Sequence, residues 1–421
     1  MTLSVRRLAN RVIQSKLARA TAWMFVAQGG RLVVQGAYFV IIGRALGIDG
    51  LGAFLGMLAL VSILTPFADW GSGKILLMHV ARAPGSFPIM FGNALVTTAV
   101  SGSICLMLLI LLKALILPEF SVQFAIVLAV SEYFCGTASA ICAQAFQALE
   151  QMSATTIMNL SVNIARLTAA LIFSFANAHP SAQSWAWWQF GSSAAAAMFC
   201  LTIVTRRLGR PEVKPRLAVA NIGLGWYFAL GISAQTLYND IDKTMMARLS
   251  TLEATGLYGA AYRIILMSFL PVRSLLYAAA ARFFQAGSRG LAGSVQFAKS
   301  LLPISLGYGV TAAIGLWLTA PLVPKLLGSD YAGAPPAIRW LCPLLIFQSI
   351  HYFAADALTG AGMQRLRSII QGSVAVFNIL INLVLIPRYS WQGAVASSLM
   401  SDALLMILLW SAVLRLNRKA M

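Results

Sequence analysis

Tyr238-Asn-Asp-Ile-Asp-Lys-Thr-Met-Met-Ala-Arg248 begins the stretch that decides the fold. It continues through Gly256-Leu-Tyr-Gly-Ala-Ala-Tyr-Arg263 to Pro271-Val-Arg273. These segments are apolar and long enough to cross a bilayer, yet they carry Asp240, Asp242, Lys243, Arg263 and Arg273. A charge at the centre of a spanning helix costs about 2.5 to 3.5 kcal/mol on insertion scales, so such residues face a bundle interior or a wet cavity. Either they form internal Asp–Lys or Asp–Arg locks, or they line a cavity for a polar or anionic substrate. Asp242 and Lys243 point to different helix faces and need not pair with each other.

The rest of the chain supplies the setting. It is 59% hydrophobic and only 10% charged; soluble domains average about 25% charged residues, so this is an integral membrane protein by composition. The net charge of +19 comes from 31 Lys and Arg against 12 Asp and Glu. In a soluble chain that excess would point to nucleic acid. Here it follows from topology, because basic residues collect on the cytoplasmic side. The 5 cysteines lack metal or redox spacing and read as small buried hydrophobes. His79, His179 and His351 form no cluster, so no metal, cofactor or His-based site is expected. The N-terminus is basic without an early apolar core, so no cleavable signal peptide is expected.

Spanning helices need ~20 apolar residues each. About twelve are expected, at 22–45, 50–70, 88–113, 121–147, 154–177, 185–206, 219–248, 255–281, 298–323, 335–361, 368–387 and 392–415. The polar break Arg206-Arg-Leu-Gly-Arg-Pro-Glu-Val-Lys-Pro-Arg216 lies mid-chain and divides it into 1–210 and 211–421. With both termini inside, Arg6, Arg7, Arg11, Lys16, Arg19, Lys74, Arg82, Arg206, Arg207, Arg210, Lys214, Arg216, Arg282, Arg289, Lys299, Arg365, Arg367, Arg415, Arg418 and Lys419 fall on the cytoplasmic side. Only Arg44, Lys113, Arg248, Lys325, Arg339 and Arg388 fall opposite. Trp185, Trp187 and Trp188 read as an interfacial belt.

The halves echo each other. A shift of 204 residues lays Arg44 on Arg248, and Gly52-Ala-Phe54 on Gly256-Leu-Tyr258. An even number of helices per half makes the repeats parallel. The fold class expected is therefore an all-α membrane protein, two six-helix lobes related by a pseudo-two-fold axis along the membrane normal. A cavity is expected between the lobes near the midplane.

Arg44-Ala-Leu-Gly-Ile-Asp-Gly-Leu-Gly-Ala-Phe54, then Pro66-Phe-Ala-Asp-Trp-Gly-Ser-Gly73 and Val80-Ala-Arg82, resembles the first helices of Wzx-type polysaccharide flippases. These belong to the multidrug/oligosaccharidyl-lipid/polysaccharide exporter superfamily. The stretch from Asp240 to Pro271 is similar to the same family. The resemblance implies transfer of undecaprenyl-diphosphate-linked oligosaccharide from the cytoplasmic to the periplasmic leaflet of the inner membrane. It implies membrane lipid and a polysaccharide polymerase or export complex as partners, and neither an enzyme nor a nucleic-acid binder.

Such a substrate has a diphosphate and a glycan that cannot enter hydrocarbon cheaply. Arg suits phosphate because its planar fork makes paired hydrogen bonds. Arg31 lies in the first span with Gln28 and Gln35 near the same face, and Arg166 follows Asn159 and Asn163 at helical spacing. Asn378 and Asn382 repeat the pattern later. Gln28, Arg31, Gln35, Asn163, Arg166, Lys243, Arg263 and Arg273 are the expected cavity lining. Glu132, Asp240, Asp242 and Asp356 are candidates for a coupling proton or Na⁺, although Glu132 could simply neutralise an Arg on a neighbouring helix. Arg44 and Arg248 read as outer anchors. The rival reading is an ion-coupled multidrug antiporter of the same superfamily, whose site would favour acidic and aromatic lining over Arg.

Overall fold

The computed structural model describes residues 2–176, 180–220, 222–287 and 290–419. His179 and the side chains of Gln28 and Arg31 lie outside the described residues. The described elements are all helical: α1 (Thr2–Asp69), α2 (Ser72–Arg82), α3 (Phe87–Ile116), α4 (Val122–Val130), α5 (Thr137–Ala148), α6 (Met152–Ala176), α7 (Ala182–Leu208) and α8 (Pro215–Ala220) in the first half and its linker. The second half holds α9 (Ile222–Leu249), α10 (Leu252–Ser268), α11 (Leu270–Gly287), α12 (Leu291–Thr319), α13 (Val323–Leu327), α14 (Ala334–Leu341), α15 (Pro343–Gly360) and α16 (Gln364–Lys419).

At 68 residues, α1 would be about 100 Å long if straight, over three times the hydrocarbon core. It breaks at Gly47, whose φ of 66° only glycine adopts freely. The expected division between the first two spans falls there. In the second half the matching break is Ser250–Thr251, where the Thr251 hydroxyl caps α10 by accepting from the Ala254 amide at 3.1 Å. A third kink, at Ser390, divides α16. Among the described residues, 8 helical segments are long and apolar enough to cross a membrane, or 9 if the bent pair α10 and α11 is one span. The kinked segments Val33–Arg82 and Gln364–Asn417 each enter that tally once.

Burial explains the packing. α1 is the hub, against α3 and α6 of its own half and α9 and α10 of the other. In the second half α15 packs between α12 and α16, and α9 lies on α16. Large apolar side chains are left outside: Met107, Leu111 and Leu115 on α3, and Ile304, Ile314 and Leu318 on α12. In a spanning protein such faces meet lipid tails, so their exposure needs no partner.

The expected tryptophan belt holds only in part. Trp187 is exposed, but Trp185 is fully enclosed, edge-on to Phe173 at 5.3 Å and 5.9 Å from Tyr38. One helical turn carries both an outward and an inward face, so adjacent tryptophans separate.

Candidate functional site: charged clusters between and within the halves

Glu132 sits where α4 passes into α5 through a π-helical turn, Ser131–Gly136. π-turns cost hydrogen-bond geometry and concentrate at functional sites. The Arg166 Nη2 of α6 donates to Glu132 Oε1 at 2.5 Å, and the Gln189 amide of α7 donates to the same oxygen at 2.9 Å. Three elements thus converge on one carboxylate. One turn away, Gln35 donates to Asn163 Oδ1 at 3.1 Å, joining α1 to α6. Of the expected α6 stripe, Asn163 and Arg166 both bond to neighbouring elements, whereas Asn159 is exposed. Arg166 Nε and Gln189 Oε1 are buried without partners among the described residues, so this cluster keeps unused polar capacity.

Tyr38 of α1 lies within electrostatic reach of both Arg166 and Arg263. Arg263 comes from α10, in the opposite half. The structure thus joins Gln35, Asn163, Arg166 and Glu132, and Arg263 of the other half acts electrostatically on the same Tyr38.

The other expected residues lie elsewhere. Lys243 Nζ is enclosed; it donates to Asn239 O at 2.8 Å, Asp240 at 2.9 Å and Asp242 at 3.4 Å, and sits 4.3 Å over the Tyr262 ring. Asp242 and Lys243 do meet, although they point to different helix faces, because the long lysine stem curls back. Asp242 also accepts from the Tyr258 hydroxyl, which reaches Ser398 of α16 at 2.9 Å. This cluster locks α9, α10 and α16. Asp356 accepts from Arg367 at 3.0 Å, and Arg367 also reaches Thr359 at 2.7 Å, stapling the α15–α16 turn. Asn378 and Asn382 do not form an open wall; both are buried, and Asn378 donates to Ser397 and Ser401 across the α16 kink. Arg273 is half-buried on α11. Among the described residues no group of three or more His, Cys, Asp or Glu could hold a metal.

Arg44 and Arg248 do more than anchor. Arg44 donates to the carbonyls of Leu326 and Lys325 at 2.6 and 2.7 Å. Arg248 reaches Glu119 at 3.4 Å. Each crosses to the opposite half, from equivalent positions of the repeat.

Sequence reasoning missed the pair His351–Asp402, where Nε2 and Oδ1 are 2.8 Å apart and both side chains are buried. The available signal was an Asp on an apolar helix with no cation at helical spacing.

Apolar spans around cross-half charges define a multi-pass membrane protein with the fold of MOP-superfamily transporters. The fold is similar to an inward-facing multidrug resistance MATE family transporter of that superfamily, with 13% identity, coverage of 94% of this chain and 99% of that one, and a TM-score of 0.71. It is similar to the lipid II flippase MurJ in an inward closed conformation, with 12% identity, coverage of 93% and 87%, and a TM-score of 0.72. A MOP superfamily transporter from Pyrococcus furiosus described as having a reverse-polarity binding pocket shares 15% identity, with coverage of 94% and 96% and a TM-score of 0.62. The chain belongs to the polysaccharide biosynthesis protein family, whose match covers residues 17–283. No curated protein matches it in sequence.

Proposed function

We propose that this chain is a Wzx-type flippase that moves undecaprenyl-diphosphate-linked oligosaccharide from the cytoplasmic to the periplasmic leaflet of the bacterial inner membrane. Family membership supports a polysaccharide pathway. The observation that carries the reading is the polar junction of Gln35, Asn163, Glu132, Arg166 and Gln189, beside a Tyr38 within electrostatic reach of Arg166 and of Arg263 from the other half. Guanidinium groups suit diphosphate, and their sharing between halves makes the grip depend on how the halves sit. Gln35, Asn163 and the spare atoms of Arg166 and Gln189 offer hydrogen bonds to sugar hydroxyls.

In this reading 1–210 and 211–421 are two lobes that rock about the shared region, exposing it to each leaflet in turn. Both termini and the Arg206–Arg216 linker are cytoplasmic, which puts Arg44 and Arg248 at the periplasmic end. Gln28, Arg31 and Arg273 belong to the same proposed path, whereas Lys243 is held by Asp240 and Asp242 in the seam of α9, α10 and α16. Glu132, Asp240, Asp242 and Asp356 each meet a fixed cation, so any ion they bind must compete with it. Membrane lipid holds the prenyl tail, and a polymerase or export complex receives the glycan.

The test is surface glycan in a deletion strain complemented with Arg166→Ala or Arg263→Ala. Export should be lost at normal protein level, and Arg166→Lys should not restore it. Normal export by both alanine variants would defeat the reading. Altered multidrug susceptibility without a glycan change would favour the antiporter.

A further inference from the structure

We propose that His351 and Asp402 form a proton-binding site that couples protonation to transport, resting on the transporter reading above. Glu132, Asp240, Asp242 and Asp356 are matched by Arg or Lys, whose charge is permanent at neutral pH. Asp402 is matched by an imidazole, the one side chain that ordinarily titrates between about pH 5 and 8. The two side chains are 3% and 2% exposed, so the pair is sealed from bulk water. Tyr238 also lies within electrostatic reach of Asp402.

Geometry assigns the proton its place. His351 Nε2 faces Asp402 Oδ1 at 2.8 Å and is best read as the N–H donor. Among the described residues, Nδ1 is buried with no hydrogen-bond partner. An incoming proton binds the Nδ1 lone pair, no other bond breaks, and the pair goes from a net charge of −1 to zero. Without the proton, a lone carboxylate charge stands in a dry interior, which is costly. With it, an Nδ1–H stands without an acceptor. Neither state is fully satisfied while the pocket is closed, so exchange of the proton requires water at Nδ1. Loading is thereby tied to a conformation that admits water.

The surroundings can transmit the change. His351 is on α15, Asp402 on α16 and Tyr238 on α9. α9 also runs along the first half, where Ser233 bonds Ile63 O at 2.8 Å and Thr244 bonds Gly56 O at 3.1 Å. α10 contributes Tyr262, in reach of Asp402, with Tyr258 and Arg263 further along. α9 contributes Tyr238 and the Asp240–Asp242–Lys243 cluster. α15 itself contributes Tyr352, stacked on His351 at 4.7 Å, and Asp356, held by Arg367. α11 carries Arg273, α12 carries Tyr308, bonded to Ser268 O, and α14 carries Arg339, over Trp317. Among the described residues no Lys or Arg is bonded to the pair.

The test uses the full chain in detergent, melted from pH 5 to 8.5, beside surface glycan in complemented cells held at different external pH. The native protein should show a one-proton titration of its melting temperature. His351→Gln and Asp402→Asn, which keep a polar group of similar size, should each abolish that titration. Export should fall by about tenfold or more in both and lose its dependence on pH. If either variant fails to accumulate, the other carries the experiment. An unchanged titration in a folded variant would overturn the proton site. A lost titration with full export would overturn its coupling role. A native chain that restores no glycan at all would defeat the flippase reading instead, while the melts still report on the proton site.

Discussion

Gly52 and Gly256 occupy equivalent places in the two halves, and each backs onto a carbonyl of the other half. A methyl group on Gly52 would fall 1.9 Å from Leu252 O, and one on Gly256 would fall 2.0 Å from Ile48 O. Leu252 and Ile48 are themselves related by the same shift that relates the glycines. The contact is reciprocal, as a two-fold relationship requires.

Gly52→Ala and Gly256→Ala should each destabilise the protein by about 1 to 3 kcal/mol, because the obstacle is backbone and cannot rotate away. Gly307→Ala is the control, since open space surrounds it. Melting temperatures of the purified variants check this, and the two seam variants should also lose export.

Arg166→Ala leaves Glu132 with Gln189 alone, and should cost about 1 to 3 kcal/mol, the worth of a partly buried charged hydrogen bond. Adding Glu132→Gln removes the stranded charge and should recover most of the stability. It should not recover export. A double variant that transports glycan would mean the pair serves packing alone.

Arg44→Ala should change stability by under about 1 kcal/mol, because the side chain is exposed. Its effect should be local instead. It holds the carbonyls of Lys325 and Leu326, so amide hydrogen exchange should rise across Val323–Tyr331 and not in α15.

Tyr331 is enclosed, and its hydroxyl donates toward the carbonyls of Gly43 and Gly47, at 3.1 and 3.2 Å, where α1 breaks. Tyr331→Phe should cost about 0.5 to 1.5 kcal/mol in a thermal or denaturant melt. No change would show that water serves those carbonyls equally well.

The chain by itself determined that the protein spans a membrane and that its helices break near Gly47 and Ser250. Hydropathy, glycine spacing and charge are local signals, and the bilayer enforces them one segment at a time. The spacing of Asn163 and Arg166 also gave their common face. The tertiary structure alone decided who meets whom. It sent Lys243 and Asn378 into sealed contacts, turned Trp185 inward, widened the helix at Glu132 and joined His351 to an Asp 51 residues away. Partner choice depends on how kinked helices cross, and helical periodicity sets the face a residue occupies without fixing what stands opposite.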